Sequence, residues 1–382
     1  MKRKSTLHLI LTLAGLVGAI LGAYAFARFL NPGPFLAPPM FSTTYQEAGI
    51  SIPFPGSEAN VVATLSGGMH SFAVSPDLRT IAIATSTEVV LYDLQSYEQL
   101  RTLDSEENSF SVAFSLDGEK LAAGSLIMQT NQLGKPHVAV WDTSTWEVVF
   151  EPNLGNYGTT MFFGALAWSP NGKFLATSDY DRGLVTFDME TGKVISLQKD
   201  FLMPPYDIAW APDGSRVVAT GDLGYGFRRW RLDTDEAVRL YDPRAAAFAA
   251  KLEWSPDGKR IASAHMDGTL CFWTVFTNRC DGFIKAHFLH TFSLAWSPDG
   301  SQLATGGGII RIWDTYTGNL ITSFGPSPIE AVYSQLEWLV DGRLVSLETG
   351  YAEREITTIR FWDVHTGEVL FELHGASGIF WE

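Results

Sequence analysis

The residues of this chain that could carry out chemistry are its histidines and carboxylates, and few of them are suitably spaced. His265, His287 and His290 are near enough in sequence to approach one face, and neutral imidazoles bind zinc or copper. Asp179 and Asp181 alternate in a way that suits calcium. The chain lacks the sequences Gly-x-Ser-x-Gly, His-Glu-x-x-His and Gly-x-x-x-x-Gly-Lys, which indicate hydrolases, zinc proteases and phosphate-binding loops. We therefore expect neither a metal site nor a cofactor.

A short sequence motif occurs seven times in the chain, and it predicts the structural elements that must position any site. An aromatic or apolar residue leads into Ser-Pro-Asp-Gly or a variant of it. The acidic position, or Asn in one copy, is occupied by Asp77, Asp117, Asn171, Asp213, Asp257, Asp299 and Asp341, so that successive copies are 40 to 54 residues apart. Proline, Asp and Gly are typical of a tight turn. A fixed period of this length predicts one structural unit stacked on copies of itself.

Alternating apolar residues on both sides of each phrase predict half-buried strands. A second aromatic mark, usually followed by Asp, comes 14 to 17 residues after the turn in five copies and later in two, and its members are Tyr92, Trp141, Phe187, Trp230, Trp273, Trp313 and Trp362. A further turn and one more short apolar run complete each unit. Each unit is therefore expected to be four antiparallel strands, named a to d from here on. A single such sheet cannot bury both faces, whereas a ring of sheets can.

With seven turns and seven aromatic marks in register, residues 60–375 resemble the WD40 family of seven-bladed β-propellers. The resemblance implies an all-β propeller of four-stranded antiparallel blades, and it also implies a buried quartet of His, Ser or Thr, Asp and Trp in many blades. The fifth blade has Ser263, Asp267 and Trp273 but Ala245 where the histidine would fall. The sixth has His287 with Thr305 and Trp313 but lacks the Asp. These incomplete quartets favour a degenerate, bacterial-type propeller, and they give His287 a structural explanation.

Composition limits the partners. The chain has 382 residues, a net charge of −15 and 46% hydrophobic residues. That content is ample for one large core, and the continuous repeat favours a single propeller over two domains. A strongly negative surface opposes binding to nucleic acid, so we expect protein partners and no nucleic acid.

The first residues predict a membrane anchor. Residues 9–27 contain no charge and follow Lys2, Arg3 and Lys4. Nineteen such residues are about enough to cross a bilayer as a helix, and the basic flank should stay in the cytoplasm. We therefore expect a single-pass protein of the cell membrane with an anchor in residues 1–30, a proline-rich connector in 31–60 and an extracytoplasmic propeller in 61–382. The alternative is a secreted or periplasmic protein, because Ala25 could end a cleaved signal peptide.

Two details remain open in the sequence. Both Val61–Leu65 and Val369–Leu373 resemble an outermost strand d, and they compete to complete the last blade and close the ring. Cys271 and Cys280 fall on strands c and d of the fifth blade. A regular hairpin would set them diagonally at about 7–8 Å, so we expect two buried thiols rather than a disulfide.

Loop lengths indicate a binding face. The b–c connection lengthens in the second blade, at residues 127–137, and in the seventh, at 349–357, and the d–a connection after the second blade is also long. Binding concentrates in such loops on a rigid scaffold, although neutral drift would also lengthen them. The candidate contacts are aromatic, basic or imidazole side chains of this face: Lys135, His137, Tyr157, Tyr225, Arg228, Tyr351 and Arg354.

Two functions of different kinds are compatible with these features. The first is a protein-binding scaffold outside the cytoplasm. The second is a propeller enzyme, such as a hydrolase, lyase or dehydrogenase, with its site in the central channel. Enzymes of that kind need charged residues on the inner strands, where only four stand out: Asp207, Lys251, Glu253 and Glu337. The lack of catalytic motifs favours the scaffold.

Overall fold

The structure is a computed structural model that describes fifteen stretches of the chain. They are residues 61–65, 68–104, 109–127, 135–152, 165–179, 183–198, 201, 205, 207–222, 226–234, 236–244, 247–288, 290–325, 331–350 and 357–375. All regular elements in these stretches are strands. The described residues contain no helix that is long and apolar enough to span a membrane. The predicted anchor in residues 9–27 and the connector in 31–60 lie outside the described residues.

The strands form seven antiparallel blades, which confirms the predicted seven-bladed propeller. Blade one contains β2 (Met69–Val74), β3 (Thr80–Thr85), β4 (Val89–Asp93) and β5 (Gln99–Leu103). Blade two contains β6 (Ser109–Phe114), β7 (Lys120–Ile127), β8 (Lys135–Asp142) and β9 (Val148–Phe150). Blade three contains β10 (Leu166–Trp168), β11 (Phe174–Asp179), β12 (Gly183–Asp188) and β13 (Val194–Gln198). Blade four contains β14 (Ile208–Trp210), β15 (Arg216–Asp222), β16 (Gly226–Arg231) and β17 (Ala237–Tyr241).

The remaining blades follow the same order. Blade five contains β18 (Ala249–Trp254), β19 (Arg260–His265), β20 (Thr269–Thr274) and β21 (Arg279–Lys285). Blade six contains β22 (Ser293–Trp296), β23 (Gln302–Gly306), β24 (Ile310–Asp314) and β25 (Leu320–Phe324). Blade seven contains β26 (Ala331–Trp338), β27 (Leu344–Gly350), β28 (Thr357–Trp362) and β29 (Val369–Gly375), and β1 (Val61–Leu65) joins it as a fifth strand.

The repeated phrase forms the a–b turn, as its residue types predict. In blade one, Ser75 Oγ donates to Asp77 Oδ1 at 2.6 Å and accepts from the Thr80 amide at 2.9 Å. The fourth turn position requires a left-handed backbone, which glycine adopts without strain. Gly300 takes it with φ of 69°, whereas Leu78 takes it in blade one with φ of 59°. The side chain of Leu78 packs against the apolar cluster between blades seven and one.

The ring is closed twice at the junction of blades seven and one. The segment Val369–Gly375 is strand d of blade seven, and β1 pairs with its outer edge in parallel, with Val61 opposite Glu372. Both competing segments are therefore used, side by side. On the inner side, Gln335 of blade seven donates to the Phe72 carbonyl at 2.7 Å, and its Oε1 accepts from Ser71 Oγ at 3.1 Å and the Phe72 amide at 3.2 Å.

Each of seven buried apolar clusters lies between two neighbouring blades, so the core is a ring of interfaces rather than one central mass. Tryptophans that end the inner strands bridge these interfaces. The indole of Trp168 donates to the Ala113 carbonyl of the preceding blade at 3.0 Å, and that of Trp210 donates to the Ala167 carbonyl at 2.9 Å. The aromatic residue of the repeated phrase therefore holds adjacent blades together as well as filling the core.

The expectation of two free thiols was wrong, because Cys271 and Cys280 form a disulfide with Cα atoms 5.7 Å apart. The register explains the error. Phe272 pairs with Gly282 and Trp273 with Cys280, so Asp281 is an extra residue in a β-bulge. A bulge bends its strand and changes which side chains share a face. The diagonal distance of a regular hairpin therefore does not apply here.

Candidate functional site

The structure describes three of the seven predicted contact residues, and it places them in strands rather than loops. In blade two, β7 and β8 continue further than expected, with Ser125 opposite His137 and Ile127 opposite Lys135. Only residues 128–134 separate the two strands. In blade seven, Thr349 pairs with Thr357 in the same way. The predicted insertions are thus partly extended hairpins, because the ladder of hydrogen bonds continues through them. Four predicted residues lie outside the described residues: Tyr157, Tyr225, Tyr351 and Arg354.

His137 and Arg228 each contact side chains near them in the propeller and do not contact each other. His137 Nδ1 lies 3.2 Å from Ser125 Oγ, and its Nε2 lies 3.3 Å from Glu151 Oε1. Arg228 is half-buried, with its guanidinium 5.8 Å from the centre of the Phe201 ring. Because they belong to blades two and four, blade three separates them. The binding role of this face remains a prediction.

The charged residues that stand out on the inner strands occupy equivalent positions in their blades. The residue before the aromatic end of strand a occupies an equivalent position in every blade. It is alanine in five blades, namely Ala73, Ala113, Ala167, Ala209 and Ala295, and glutamate in the other two, Glu253 and Glu337. Asp207 and Lys251 stand two residues earlier, at the next position on the same face of their strands. At these two positions of the described inner strands, charged side chains therefore occur in blades four, five and seven.

Asp207 joins blade four to blade five. Its Oδ1 accepts from Lys251 Nζ at 2.6 Å, and its Oδ2 accepts from the Leu252 amide at 2.6 Å. Burial by itself lowers the pKa of Lys251, but the adjacent Asp207, together with Glu253 and Glu337, outweighs it and raises that pKa above its usual value. The ammonium group is therefore held charged, and it is not a base at neutral pH.

Glu253 and Glu337 make matching contacts to the blades that follow them. Glu253 Oε2 accepts from the Trp296 amide of blade six at 3.1 Å, and Glu337 accepts from the Val74 backbone of blade one. Burial raises the pKa of Glu253 to about 8 and that of Glu337 to about 7. Each carboxyl can exchange a proton near neutrality. Nevertheless, one oxygen of each is engaged by the backbone of the next blade, which is a structural role.

The histidines in blades five and six belong to structural hydrogen-bond networks. In blade five, Trp273 Nε1 donates to Ser263 Oγ at 2.8 Å, and Ser263 Oγ lies 2.8 Å from His265 Nε2. The sequence has Ala245 where the family's histidine would fall, but His265 supplies an imidazole from strand b itself. In blade six, Trp313 Nε1 and His287 Nε2 each lie 2.9 Å from Thr305 Oγ1.

His290 contacts the Met266 carbonyl. Burial lowers the pKa of His265, and it lowers that of His287 to about 3, so both are neutral. Among the described residues no group of His, Cys, Asp and Glu could hold a metal ion.

Comparison with known proteins agrees with the geometry of the blades. Residues 158–188, 247–274 and 278–314 match the family described as WD domain, G-beta repeat, and they fall in blades three, five and six. A WD repeat-containing protein 26 homolog of Arabidopsis thaliana is 30% identical over 255 residues, which cover 56% of this chain and 43% of the relative.

Two further relatives show how partial these similarities are. WD repeat-containing protein 90 of Mus musculus is 24% identical over 335 residues, 81% of this chain and 17% of the relative. Actin-interacting protein 1 of Drosophila melanogaster is 25% identical over 207 residues, 41% of this chain and 34% of the relative. The chain thus spans less than half the length of each of these curated relatives. Together with the seven four-stranded blades, the repeat matches and the relatives support a WD40 propeller.

Proposed function

We propose that this protein is a membrane-anchored, extracytoplasmic scaffold that binds protein partners on the face bearing its b–c and d–a loops. We further propose that it is a degenerate, bacterial-type member of the WD40 group, because its quartets differ from blade to blade. The name of the Drosophila relative states an interaction with another protein, actin, and none of the three relatives' names states an enzymatic activity.

The observation that carries the scaffold proposal is the use of the inner carboxylates Asp207, Glu253 and Glu337 as links between blades. These were the candidates for channel catalysis. A catalytic carboxyl must reach a substrate atom in a defined geometry, whereas each of these accepts a hydrogen bond from the backbone of the next blade. The inner rim therefore stabilises a rigid ring, which is what a platform for binding loops requires.

The placement outside the cytoplasm draws support from two features. Residues 9–27 are uncharged and follow three basic residues, a pattern that orients an anchor with its basic end inside. The disulfide between Cys271 and Cys280 is typical of oxidising compartments and rare in the cytosol. Protease added to intact cells should digest the propeller. Complete protection until the cells are lysed would reverse this topology.

The binding face is tested by crosslinking in intact membranes. A specific partner should be recovered with the full-length protein. Shortening residues 128–134 and 351–356 to tight turns should leave thermal unfolding unchanged, because long surface loops add little to a core. The same change should reduce recovery of the crosslinked partner. Equal recovery by the folded, shortened protein would place the partner elsewhere. A small molecule retained in the channel instead of a protein partner would favour the enzyme.

A further inference from the structure

A groove of about 440 Å³ separates blades five and six, on the face that carries the a–b and c–d turns. This face is opposite the b–c loops. One wall is strand β21 of blade five, and the other is the c–d turn of blade six, which contains Tyr316 and Gly318. Phe272 and Arg260 also line the groove.

The groove lies beside a glycine, Gly282, at a position where the other blades carry a side chain. In every blade, the residue before the second aromatic mark pairs with a residue of strand d. That partner is Arg101, Phe150, Ser196, Val238, Thr322 or Phe371 in six blades, and in blade five it is Gly282. A Cβ atom on Gly282 would come within 3.1 Å of the Phe272 ring. The Phe272 ring thus covers the glycine backbone, and the groove lies beside these two residues, where strand d has no side chain of its own.

Two other blade junctions show what fills this space. Phe150 occupies the position in blade two, where its ring centre is 5.6 Å from that of Phe187 in blade three and its edge abuts Gly192 of the next c–d turn. Phe371 occupies it in blade seven, where its ring lies 4.8 Å from that of Tyr97 in the c–d turn of blade one. In two of the six other blades, an aromatic side chain therefore packs at this position against the next blade.

The walls of the groove favour the same chemistry. The Arg260 guanidinium lies 5.1 Å from the Trp296 ring centre and 5.6 Å from the ring centres of Phe272 and Tyr316. It is fixed by bonds from its NH1 to the Thr315 carbonyl at 2.6 Å and from its NH2 to Thr315 Oγ1 at 3.2 Å. A guanidinium held among rings attracts a further aromatic ring.

Exposed aromatic residues mark the same sector. Phe276 and Tyr316 stand at the same position of the c–d turn in blades five and six, and they are 81% and 79% exposed. The equivalent residues of the other five blades are polar: Gln95, Ser144, Glu190, Asp233 and His365. Neither exposed ring serves the core, and aromatic residues are the type that most often dominates protein interfaces.

We propose that this groove binds an extended segment of a partner protein that inserts one aromatic side chain between blades five and six, beside Phe272 and Gly282. Asp281, exposed at the groove, and the net charge of −15 favour a basic residue beside that aromatic side chain. The inference rests on the proposed role as a protein-binding scaffold, but it adds a second surface on the opposite face.

A library of random peptides displayed on phage, selected on the full-length protein, tests this. The selected peptides should share an aromatic residue, and its replacement by alanine should weaken binding at least about tenfold. Gly282→Phe, which copies the side chain of blade two into the groove, should weaken binding by a similar factor. Tyr316→Ala should also weaken it, and this exposed position keeps the test valid if Gly282→Phe does not fold. His365→Ala, at the matching turn position of blade seven, should have no effect.

The inference would be overturned if no peptide were selected, or if the selected peptides shared no aromatic residue. It would also be overturned if the peptides bound the folded Gly282→Phe and Tyr316→Ala variants unchanged. The peptides should still bind the protein whose residues 128–134 and 351–356 are shortened. Loss of the crosslinked partner from that shortened protein tests the loop face alone. The two proposals can therefore fail separately.

Discussion

The closure of the ring at blades seven and one gives the sharpest prediction about stability. Replacing Gln335 by alanine removes three hydrogen bonds to Ser71 and Phe72. A typical intramolecular hydrogen bond contributes about 1 kcal/mol net, and an unsatisfied buried group costs more. Phe72 is fully buried, so we expect a loss of about 2–4 kcal/mol in the free energy of unfolding.

The assay is thermal unfolding of the full-length protein. For a protein of this size a loss of 2–4 kcal/mol corresponds to a decrease in Tm of roughly 3–6 °C. Hydrogen exchange should accelerate first in β2 and β26, because the outer link between β1 and β29 remains. Ser334→Ala is the matched control, since Ser334 Oγ bonds only to Leu347 O within blade seven, at 3.3 Å, and it should change Tm less.

A Tm of the Gln335→Ala variant within about 1 °C of the parent would refute the reasoning. It would mean that water at the inner rim replaces the lost bonds, and that β1 and the apolar interface close the ring alone. An equal decrease in both variants would show a general effect on blade seven rather than on its junction with blade one.

Three further predictions concern buried groups. Because burial raises the folded pKa of Glu253 to about 8 from its usual 4.5, the folded state binds more protons between these values, and stability falls as pH rises through them. Glu253→Gln should remove part of the decrease in Tm between pH 5 and pH 9, and an unchanged pH profile would contradict this. Reducing the Cys271–Cys280 disulfide should cost about 2–3 kcal/mol, measured by urea unfolding with and without dithiothreitol. The double serine variant should not respond to the reductant. Ser263→Ala should cost about 2–4 kcal/mol by leaving the Trp273 indole buried without its acceptor, and a shift in the urea midpoint no larger than that of an exposed turn serine would argue against the network.

The repeat could be predicted from local chemistry because each of its features acts within a few residues. Turn residues such as Asp257 and Gly258 impose the a–b hairpin wherever they occur, and the period then sets the number of blades. The inner charged residues could also be found, since Lys251 and Glu253 interrupt apolar strands. The structural roles of these charged residues could not be predicted, because the amide that Glu253 binds belongs to a residue 43 positions away.

The errors have a common cause in strand register. A single inserted residue at Asp281 brought Cys271 and Cys280 within bonding distance. Continued pairing of β7 with β8 moved Lys135 and His137 from a loop into a strand. Register depends on which cross-strand contacts are best over the whole sheet, and local residue types do not report it.

The sequence by itself determined the seven blades, the turns that separate their strands and the net charge of −15, because these depend on short-range patterns and composition. Only the tertiary structure decided how the ring closes, which histidine completes the network of blade five, and that Phe272 and Gly282 line a groove between blades five and six. Each of those depends on the side chains that a neighbouring strand or blade presents, and such neighbours are distant in the chain.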